Sequence, residues 1–400
     1  MEPVPMHVTR LLVEDFRSYP SAELVPDERL TIVAGPNGAG KTNLLEAMHV
    51  AVAGRSHRAV AEHELVRHGS PFARVRIDLA GTADSGSARL EMVLPGEAAS
   101  PQIRKRLLLN GLPRRAGSIH DVVRSVLFRP EEMLLLVGSP SERRRFLDGV
   151  LAQRDRRASR DLAELARVLA QRNALLRAIR REEAEVDELE FWDEQLAQVG
   201  ARVMAARLRL VADLDARIPS LHDAVAPPDE RGEIVHLEYA DTLKDAWPRR
   251  RPAGEANGEP DAEELVGAFR RRIGDARQKE LWNGVTLIGP QRDDLRVQLG
   301  ERDVATHASR GQQRTIILAM KLAERDLLAA DGAPTPVVLL DDVFSELDAS
   351  RSARALELLL ERGQVLVTTA DPAALPPARR RGVPIWHVGD GRLTRAPRVA

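Results

Sequence analysis

The chain of 400 residues is 43% hydrophobic but only 3% aromatic, and it has 59 Lys and Arg against 60 Asp and Glu. This length can bury one large core or two moderate ones, which excludes a single small module. The nearly neutral charge gives no general argument for a nucleic-acid partner, and the absence of cysteine excludes disulfides and thiolate zinc sites.

No apolar run in the sequence reaches the roughly 18 residues that a membrane span needs. The segment MEPVPMHVTR lacks the basic and then apolar stretch of a secretory signal. We therefore expect a cytoplasmic protein without a membrane partner. Only five of its basic residues are lysines, so a lysine that is kept where arginine prevails needs a chemical reason.

A phosphate-binding loop is predicted near the amino terminus. Leu30 to Ala34 has the pattern of a buried strand, and the segment after Lys41 has apolar residues at helical spacing up to Gly54. Between them stands a match to G-x-x-x-x-G-K-[ST], which is specific in this strand-loop-helix context. The motif comprises Gly35, Pro36, Asn37, Gly38, Ala39, Gly40, Lys41 and Thr42.

Each residue type in this loop suits ATP and Mg²⁺. Glycine allows tight turns in which successive N–H groups point at phosphates, and the positive end of the following helix adds to their attraction. Lys41 is predicted to neutralise the terminal phosphates and Thr42 to bind Mg²⁺. The alternative, a glycine-rich turn that binds nothing, is disfavoured by the flanking strand and helix.

The hydrophobic periodicity of the sequence changes twice in the middle of the chain. Period-two alternation between about residues 72 and 109 predicts antiparallel strands, with Asn110-Gly111 as a hairpin turn. From Pro140 to about Pro219 the pattern predicts a helical arm or hairpin, which turns near Gly200 or near 190–192. Residues 248–260 are predicted to form a turn-rich loop.

An acidic pair follows a second buried strand, Val337 to Leu340. Asp341, at the carboxyl end of this strand, is predicted to hold Mg²⁺ and Asp342 to polarise the attacking water. Most ABC ATPases have Glu at the second position, so Asp342 is one methylene short; slow hydrolysis or an adjusted backbone is expected. An acidic strand end at a surface turn is the alternative for these two residues alone.

Ser309-Arg310-Gly311-Gln312-Gln313, with a helical run after it, resembles the signature of ABC ATPases. In that motif Ser and Gly lie at a helix amino terminus. They bind the γ-phosphate of a nucleotide that occupies the phosphate loop of another subunit. Ser309, Gly311 and Gln312 are therefore predicted to complete the site of a second copy, so that ATP is enclosed in a head-to-tail dimer. An ordinary helix cap is the alternative.

Two further segments agree with an ABC ATPase. Residues 345–348 resemble the D-loop that lines the dimer seam, with Asp348 as a nucleotide-site residue. The strand from Gln364 to Val367 ends in Thr368-Thr369, where transporter ATPases usually have a His. This difference disfavours a transporter subunit.

The resemblance narrows to the RecF family, within the ABC and SMC class of ATPases, and runs from about residue 8 to 370. Phe16-Arg17-Ser18-Tyr19 resembles the family's F-R-x-Y strand end, whose Arg lies near the nucleotide in relatives. Residues 126–132 and 138–148 resemble the entry to its helical lobe, and residues 286–294 resemble its G-P-H-R-D-D segment. Gln291 replaces the His of that segment, whereas the Asp-Asp pair is familiar in the family.

This resemblance implies an α/β fold: an ABC-type P-loop ATPase head (lobe I) with an inserted, mainly helical lobe II. We assign residues 1–138 and 275–400 to lobe I. Residues 139–274 are assigned to lobe II, which carries a short antiparallel arm.

The implied function is that of a weak ATPase in recombinational repair and replication restart, which dimerises with ATP on duplex or gapped DNA. It would help RecR and RecO load the recombinase. Clustered basic side chains suit phosphate oxygens and are the predicted DNA contacts. They are Arg55, Arg58, Arg104, Lys105, Arg106, Arg114 and Arg115; for each one a solvated surface position is the alternative.

Two other functions are weighed. A transporter nucleotide-binding subunit is disfavoured by the missing His and by the long segment between Pro140 and Gly274. An SMC-type structural head would need long coiled coils, whereas this arm has room for only about 30 residues per helix, roughly 45 Å.

Overall fold

The structure is a computed structural model that describes residues 7–59, 61–81, 86–100, 102–243, 246, 262–376, 380, 382–389 and 391–396. The chain forms two compact units. The first contains Met1–Met133, Ser220–Gly232 and Arg314–Ala400, and the second contains Leu134–Pro219 and Glu233–Gln313. The predicted loop at 248–260 lies outside the described residues.

The strands, in chain order, are β1 (His7–Phe16), β2 (Tyr19–Leu24), β3 (Leu30–Ala34), β4 (Phe72–Ala80), β5 (Ser87–Pro95), β6 (Arg106–Leu109), β7 (Leu112–Pro113), β8 (Ser125–Phe128), β9 (Val235–Ala240), β10 (Asp294–Leu299), β11 (Arg302–Asp303), β12 (Val337–Asp341), β13 (Val365–Thr369), β14 (Ile385–Gly389) and β15 (Arg392–Arg395).

The helices are α1 (Lys41–Ala53), α2 (Ala116–Ile119), α3 (Leu134–Val137), α4 (Pro140–Arg154), α5 (Arg156–Arg180), α6 (Leu189–Asp215), α7 (Ile218–Val225), α8 (Ala262–Asn283), α9 (Val304–His307), α10 (Arg310–Leu328) and α11 (Ala349–Glu361). Among these described helices, none is both long enough and apolar enough to cross a lipid bilayer.

The first unit contains two six-stranded sheets with helix α1 in their shared core. One sheet is antiparallel, in the order β2-β1-β4-β5-β6-β7, and β4 alternates buried and half-buried residues as a strand with one face on a core does. The other has the order β15-β14-β3-β13-β12-β8 and is parallel except for β15. Strands β3, β12 and β13 are buried throughout, which explains their continuous apolar sequences.

The second unit is mainly helical. The long helices α5 and α6 form its hairpin, and α6 also packs against α8 and the small antiparallel sheet β11-β10-β9. Leu165, Val168, Arg172 and Leu176 are buried on α5, at the three- and four-residue spacing that makes one buried helix face.

Of the two predicted positions for the turn of this hairpin, Gly200 was wrong, and 190–192 lies just after the actual connection. The helices are separated by residues 181–188, and Gly200 lies inside α6. A side chain at Gly200 would have its Cβ 3.1 Å from the Phe269 ring. Gly200 therefore allows close helix packing instead of a turn.

The two compact units differ from the predicted boundaries of the helical lobe. Residues 275–313 belong to the second unit, because β10 pairs with β9 and α8 packs on α6. Residues 220–232 belong to the first unit, where Arg351 and Thr315 bind Glu230. These contacts join residues far apart in sequence, which local composition does not reveal.

A buried ion-pair network centres on Arg172 of α5. Its Nε donates to Asp193 Oδ1 at 2.8 Å and its Nη2 to Glu280 Oε2 at 2.6 Å. Arg172 and Glu280 are 0% exposed. Each partner therefore compensates for the other's loss of hydration.

Replacing Arg172 by Met should destabilise the second unit by about 3–5 kcal/mol, because the buried Glu280 carboxylate loses its counter-charge. Urea unfolding followed by circular dichroism measures the change. Arg181→Met, at an exposed position just after α5, should change stability by less than about 0.5 kcal/mol. A loss below about 1 kcal/mol for Arg172→Met would show that the network is not a stabilising element.

A second buried cluster contains a titratable carboxyl. Asp293 is 1% exposed, and its two oxygens accept from Tyr239 OH at 2.6 Å and Thr242 N at 2.8 Å. Burial raises the pKa of Asp293 to about 6, and the hydrogen bonds from Tyr239 and Thr242 oppose this rise. The Arg207 guanidinium, which also binds Asp148, opposes it further.

Asp293 should make stability depend on pH. A carboxyl whose pKa is higher in the folded than in the unfolded chain binds its proton more tightly when folded. Its contribution to stability is therefore complete below about pH 4 and is lost as the pH rises through about 6. Urea midpoints between pH 4 and 7 should fall less steeply with pH for Asp293→Asn than for the wild type; identical slopes would contradict the assignment.

Candidate nucleotide-binding site

The predicted phosphate loop joins β3 to α1 in the expected way. Gly38 and Gly40 have φ angles of 81° and 111°, which disfavour other residues. A Cβ on Gly40 would lie 2.8 Å from Ser18 Oγ and 3.0 Å from Tyr19 OH. Tyr19 OH donates to Gly40 O at 3.0 Å. Ser18 and Tyr19 therefore pack against the phosphate loop at Gly40 and leave no room for a side chain there.

Lys41 is the first residue of α1 and is 7% exposed. Its Nζ donates to Gly35 O at 2.8 Å and to Pro36 O at 3.1 Å. The loop carbonyls thus hold the ammonium at the loop itself. A bound phosphate would become a further partner of this ammonium or take the place of one of the carbonyls. The guanidinium of arginine is planar and larger than the compact ammonium of lysine. This difference explains why lysine is kept at this position.

The acidic residue Asp341 lies at the end of β12, as predicted. Its Oδ1 accepts from Thr368 Oγ1 at 2.6 Å, and the Thr42 side chain also hydrogen bonds to it. Burial is the main cause that raises the pKa of Asp341, and the neighbouring charges of Glu131 and Asp342 raise it further. This concentration of carboxylates favours binding of a cation.

Asp342 has a left-handed backbone, with a φ of 51° and a ψ of 26°. Its N–H donates to Thr368 O at 3.1 Å, so the parallel neighbour β13 holds this conformation. Its Oδ1 is buried and has no hydrogen-bond partner among the described residues. An unpartnered buried carboxylate oxygen is costly unless a ligand or water satisfies it.

These residues surround an open cavity of about 400 Å³. Its lining comes entirely from the first unit. The lining residues are Asn37, Gly38, Gly40, Lys41, Thr42, Asn43, Arg58, Pro130, Glu131, Asp341 and Asp342.

The oxygen donors fit Mg²⁺. The Thr42 side chain hydrogen bonds to the Asp341 carboxyl, and the buried Asp342 Oδ1 has no hydrogen-bond partner among the described residues. Carboxylate and hydroxyl oxygens are ligands that Mg²⁺ prefers beside nucleotide phosphates. Thr42 and Asp341 are therefore suited to hold the ion, as the sequence indicated.

Four lining residues were not predicted for this site, namely Asn43, Arg58, Pro130 and Glu131. Glu131 follows β8 and brings a third carboxylate, and Asn43 and Arg58 line the side next to α1. Arg58 Nη1 lies 3.4 Å from Asn43 Oδ1 and 3.6 Å from Glu46 Oε2. Arg58 was predicted to contact DNA. Its place in the lining of the nucleotide cavity depends on the tertiary structure and was not predicted from the sequence.

Arg17, predicted to lie near the nucleotide, does not line this cavity but a neighbouring one, which shares Asn43 and Arg58 with it. Its Nε and Nη2 donate to the fully buried Glu46 carboxylate at 3.1 and 3.2 Å. Its φ of 51° directs the strand end toward that partner. Arg17 thus anchors the strand end to α1.

The signature-like segment lies in the second unit. Ser309 Oγ accepts from Gln312 N at 3.2 Å, and Gln312 Oε1 accepts from Ser309 N at 2.9 Å. This reciprocal pair caps the amino terminus of α10. Ser309 is exposed and Gly311 is half-buried, so the cap leaves the serine hydroxyl accessible to a ligand from outside.

Asp348, the predicted D-loop residue, is exposed and caps α11. Its carboxylate accepts from Ser350 N at 3.0 Å and from Arg351 N at 2.9 Å. Arg351 Nη1 also donates to it at 2.7 Å. Nucleotide contact by Asp348 remains a prediction, since these bonds by themselves account for the residue.

The other predicted DNA contacts are exposed on the first unit. Lys105 Nζ donates to Gly54 O at 2.7 Å and pairs with Glu62. Within the part of the chain that the structure describes, the remaining side chains form no hydrogen bond or ion pair. They are Arg55, Arg104, Arg106, Arg114 and Arg115.

The sequence of the chain has clear relatives. Residues 7–385 match the RecF/RecN/SMC N terminal domain family. The DNA replication and repair protein RecF of Kineococcus radiotolerans is 40% identical over 385 residues, which cover 94% of this chain and 95% of that protein. The protein of the same name from Herpetosiphon aurantiacus is 36% identical and covers 97% and 99%.

Solved structures agree with these relatives. The recombination mediator protein RecF-ATPrS in the RecFOR pathway has a TM-score of 0.86 at 27% identity, covering 99% of this chain and 100% of that one. An Smc head bound to the C-winged helix domain of ScpA has a TM-score of 0.53 at 15% identity, covering 98% and 97%. The second likeness concerns the fold alone, that of an ABC-type ATPase head. With its phosphate loop and paired acids set in this fold, the chain belongs to the RecF family.

Proposed function

We propose that the protein is a weak ATPase of recombinational repair and replication restart, whose dimerisation with ATP controls its binding to DNA. The observation that carries this proposal is the cavity of the first unit, where the phosphate loop, three carboxylates and an unpartnered buried Asp342 oxygen converge. Such a set suits a polyphosphate with a divalent cation. The relatives named for DNA replication and repair supply the biological setting.

In this proposal the loop N–H groups and the Lys41 ammonium bind the terminal phosphates, while Thr42 and Asp341 hold Mg²⁺. The ion, when bound, neutralises charge on the phosphates. Asp342 orients the attacking water and accepts its proton. Because Asp342 reaches one methylene less far than Glu, hydrolysis is slow and ATP acts mainly as a switch.

Ser309, Gly311 and Gln312 would complete the site of a second copy. The cap keeps Ser309 at the positive end of α10 and leaves it exposed, which suits an incoming γ-phosphate. None of these three residues is among those that line the cavity of the same chain. We infer that two chains pair head to tail, with Asp348 at the seam.

The DNA partner is proposed to be a duplex beside a single-stranded gap, with RecR and RecO as protein partners in loading the recombinase. The RecFOR setting of the similar solved structure supports these partners. Arginines of the first unit that have no ion-pair partner among the described residues supply the charge that phosphates require.

Gel-shift titrations on duplex, single-stranded and gapped DNA, with and without ATP and across a salt series, test this proposal. We expect binding to duplex and gapped DNA to strengthen with ATP and to weaken steeply with salt. A chain that binds no DNA, or binds equally well without nucleotide, would contradict it. Matched titrations with ADP separate occupancy of the site from the effect of the γ-phosphate.

A further inference from the structure

The antiparallel sheet of the first unit ends in a well-fixed hairpin. Strands β6 and β7 are joined by Asn110 and Gly111, whose φ angles of 51° and 79° suit a tight type I′ turn. Asn110 Oδ1 accepts from Arg89 N, and Asn110 N donates to Arg89 O, both at 2.8 Å. The turn is therefore anchored to β5.

The arginines of this hairpin differ from those elsewhere in the same sheet. Those on β1, β4 and β5 are ion-paired: Arg10 with Glu23, Arg74 with Glu14 and Glu91, Arg76 with Glu91, and Arg89 with Asp78. Near the hairpin, exposed guanidiniums have no such partner among the described residues; these are Arg104, Arg106, Arg114 and Arg115. Uncompensated positive charge is thus concentrated at one edge of the sheet.

The hairpin register brings like charges together. Leu108 pairs with Pro113, and Arg114 N donates to Leu107 O at 2.8 Å. The next step of this register sets Arg106 opposite Arg115. Like charges in facing positions are destabilising, and a polyanion that neutralises both would relieve the repulsion.

An apolar tip stands among these arginines. Leu112 is 56% exposed, and the next residue, Pro113, is also exposed. Strand β7 is only two residues long, and Pro113 has no N–H, so this edge is a poor template for adding a strand from a protein partner. Exposed apolar side chains flanked by arginines are what proteins insert between base steps of DNA.

We propose that Leu112 and Pro113 pack on the open face of the terminal base pair where duplex DNA meets a single strand. The four arginines bind the flanking phosphates. In a continuous duplex the same contact requires a base step to be unstacked, which costs free energy. At a gap the terminal base pair is already open on one face, so this cost does not arise. The hairpin therefore selects gapped DNA, which deepens the proposed function and rests on its DNA binding.

Leu112→Ala tests this inference in the full chain with ATP and Mg²⁺. The wild type should prefer gapped over continuous duplex, and the variant should lose about tenfold of that preference. Its affinity for continuous duplex should stay within about twofold, because the phosphate contacts remain. A 2-aminopurine base at the terminal pair should change its fluorescence with the wild type but not with Leu112→Ala.

Two controls separate the parts of the proposal. Val25→Ala, at another exposed apolar residue of the first unit, should keep the preference and the fluorescence change. Arg106→Ala with Arg115→Ala should weaken binding to both DNAs equally and lower the salt slope by about 2.

An unchanged preference and fluorescence signal in Leu112→Ala would overturn the inference, as would an unchanged salt slope in the arginine variant. A wild type that binds duplex without any gap preference overturns the inference alone. A wild type that binds no DNA overturns the proposed function as well.

Discussion

Lys41→Ala should bind ATP at least about 100-fold more weakly than the wild type. The ammonium is the positive side chain held at the loop carbonyls Gly35 O and Pro36 O, and a charge-assisted contact to phosphate is lost with it. Lys41→Arg should fail as well, because its planar fork differs in shape and reach. Titration with a fluorescent ATP analogue measures the affinity.

The matched control is Lys279→Ala, at an exposed position on α8, which should leave the ATP affinity unchanged. Thermal unfolding of Lys41→Ala without nucleotide verifies that the loop variant still folds. If Lys41→Ala binds the analogue as tightly as the wild type, the loop is not the phosphate site.

Ser309→Arg should separate ATP binding from dimerisation. A single chain should keep its ATP affinity, because Ser309 is not among the residues that line the cavity. The bulky cation should block the approach of the partner's nucleotide, so dimerisation and hydrolysis are lost. Sedimentation with and without ATP, together with phosphate release, measures both effects.

Two controls make this result specific. Gln278→Arg introduces the same side chain at an exposed position of the second unit and should dimerise normally. Mixing Lys41→Ala with Ser309→Arg should recover part of the hydrolysis, because one of the two composite sites then has an intact loop and an intact serine. A Ser309→Arg protein that still pairs and hydrolyses ATP normally would disprove the shared site.

The features predicted correctly from the sequence are those determined by neighbouring residues. The phosphate loop is predictable because glycine spacing, a buried strand and a helix start occur together. The Asn110-Gly111 turn follows from its residue types, and the apolar residues Val337 to Leu340 of β12 place Asp341 at the predicted strand end.

What was missed depends on tertiary packing. Gly200 lies inside α6 and packs against the Phe269 ring, and the boundary of the second unit depends on the distant pairing of β9 with β10. Arg17 is turned to Glu46, a fully buried acid on α1 that nothing local connects with it. Glu131 becomes a site residue only because β8 lies beside β12.

Helix α1 offers a short mechanical path through the first unit. It is 13 residues long, or about 20 Å, with Lys41 at its start. At its far end Gly54 O accepts from Lys105, next to the arginine-rich hairpin. One helix of a single chain therefore connects the phosphate loop to the base of the arginine-rich hairpin.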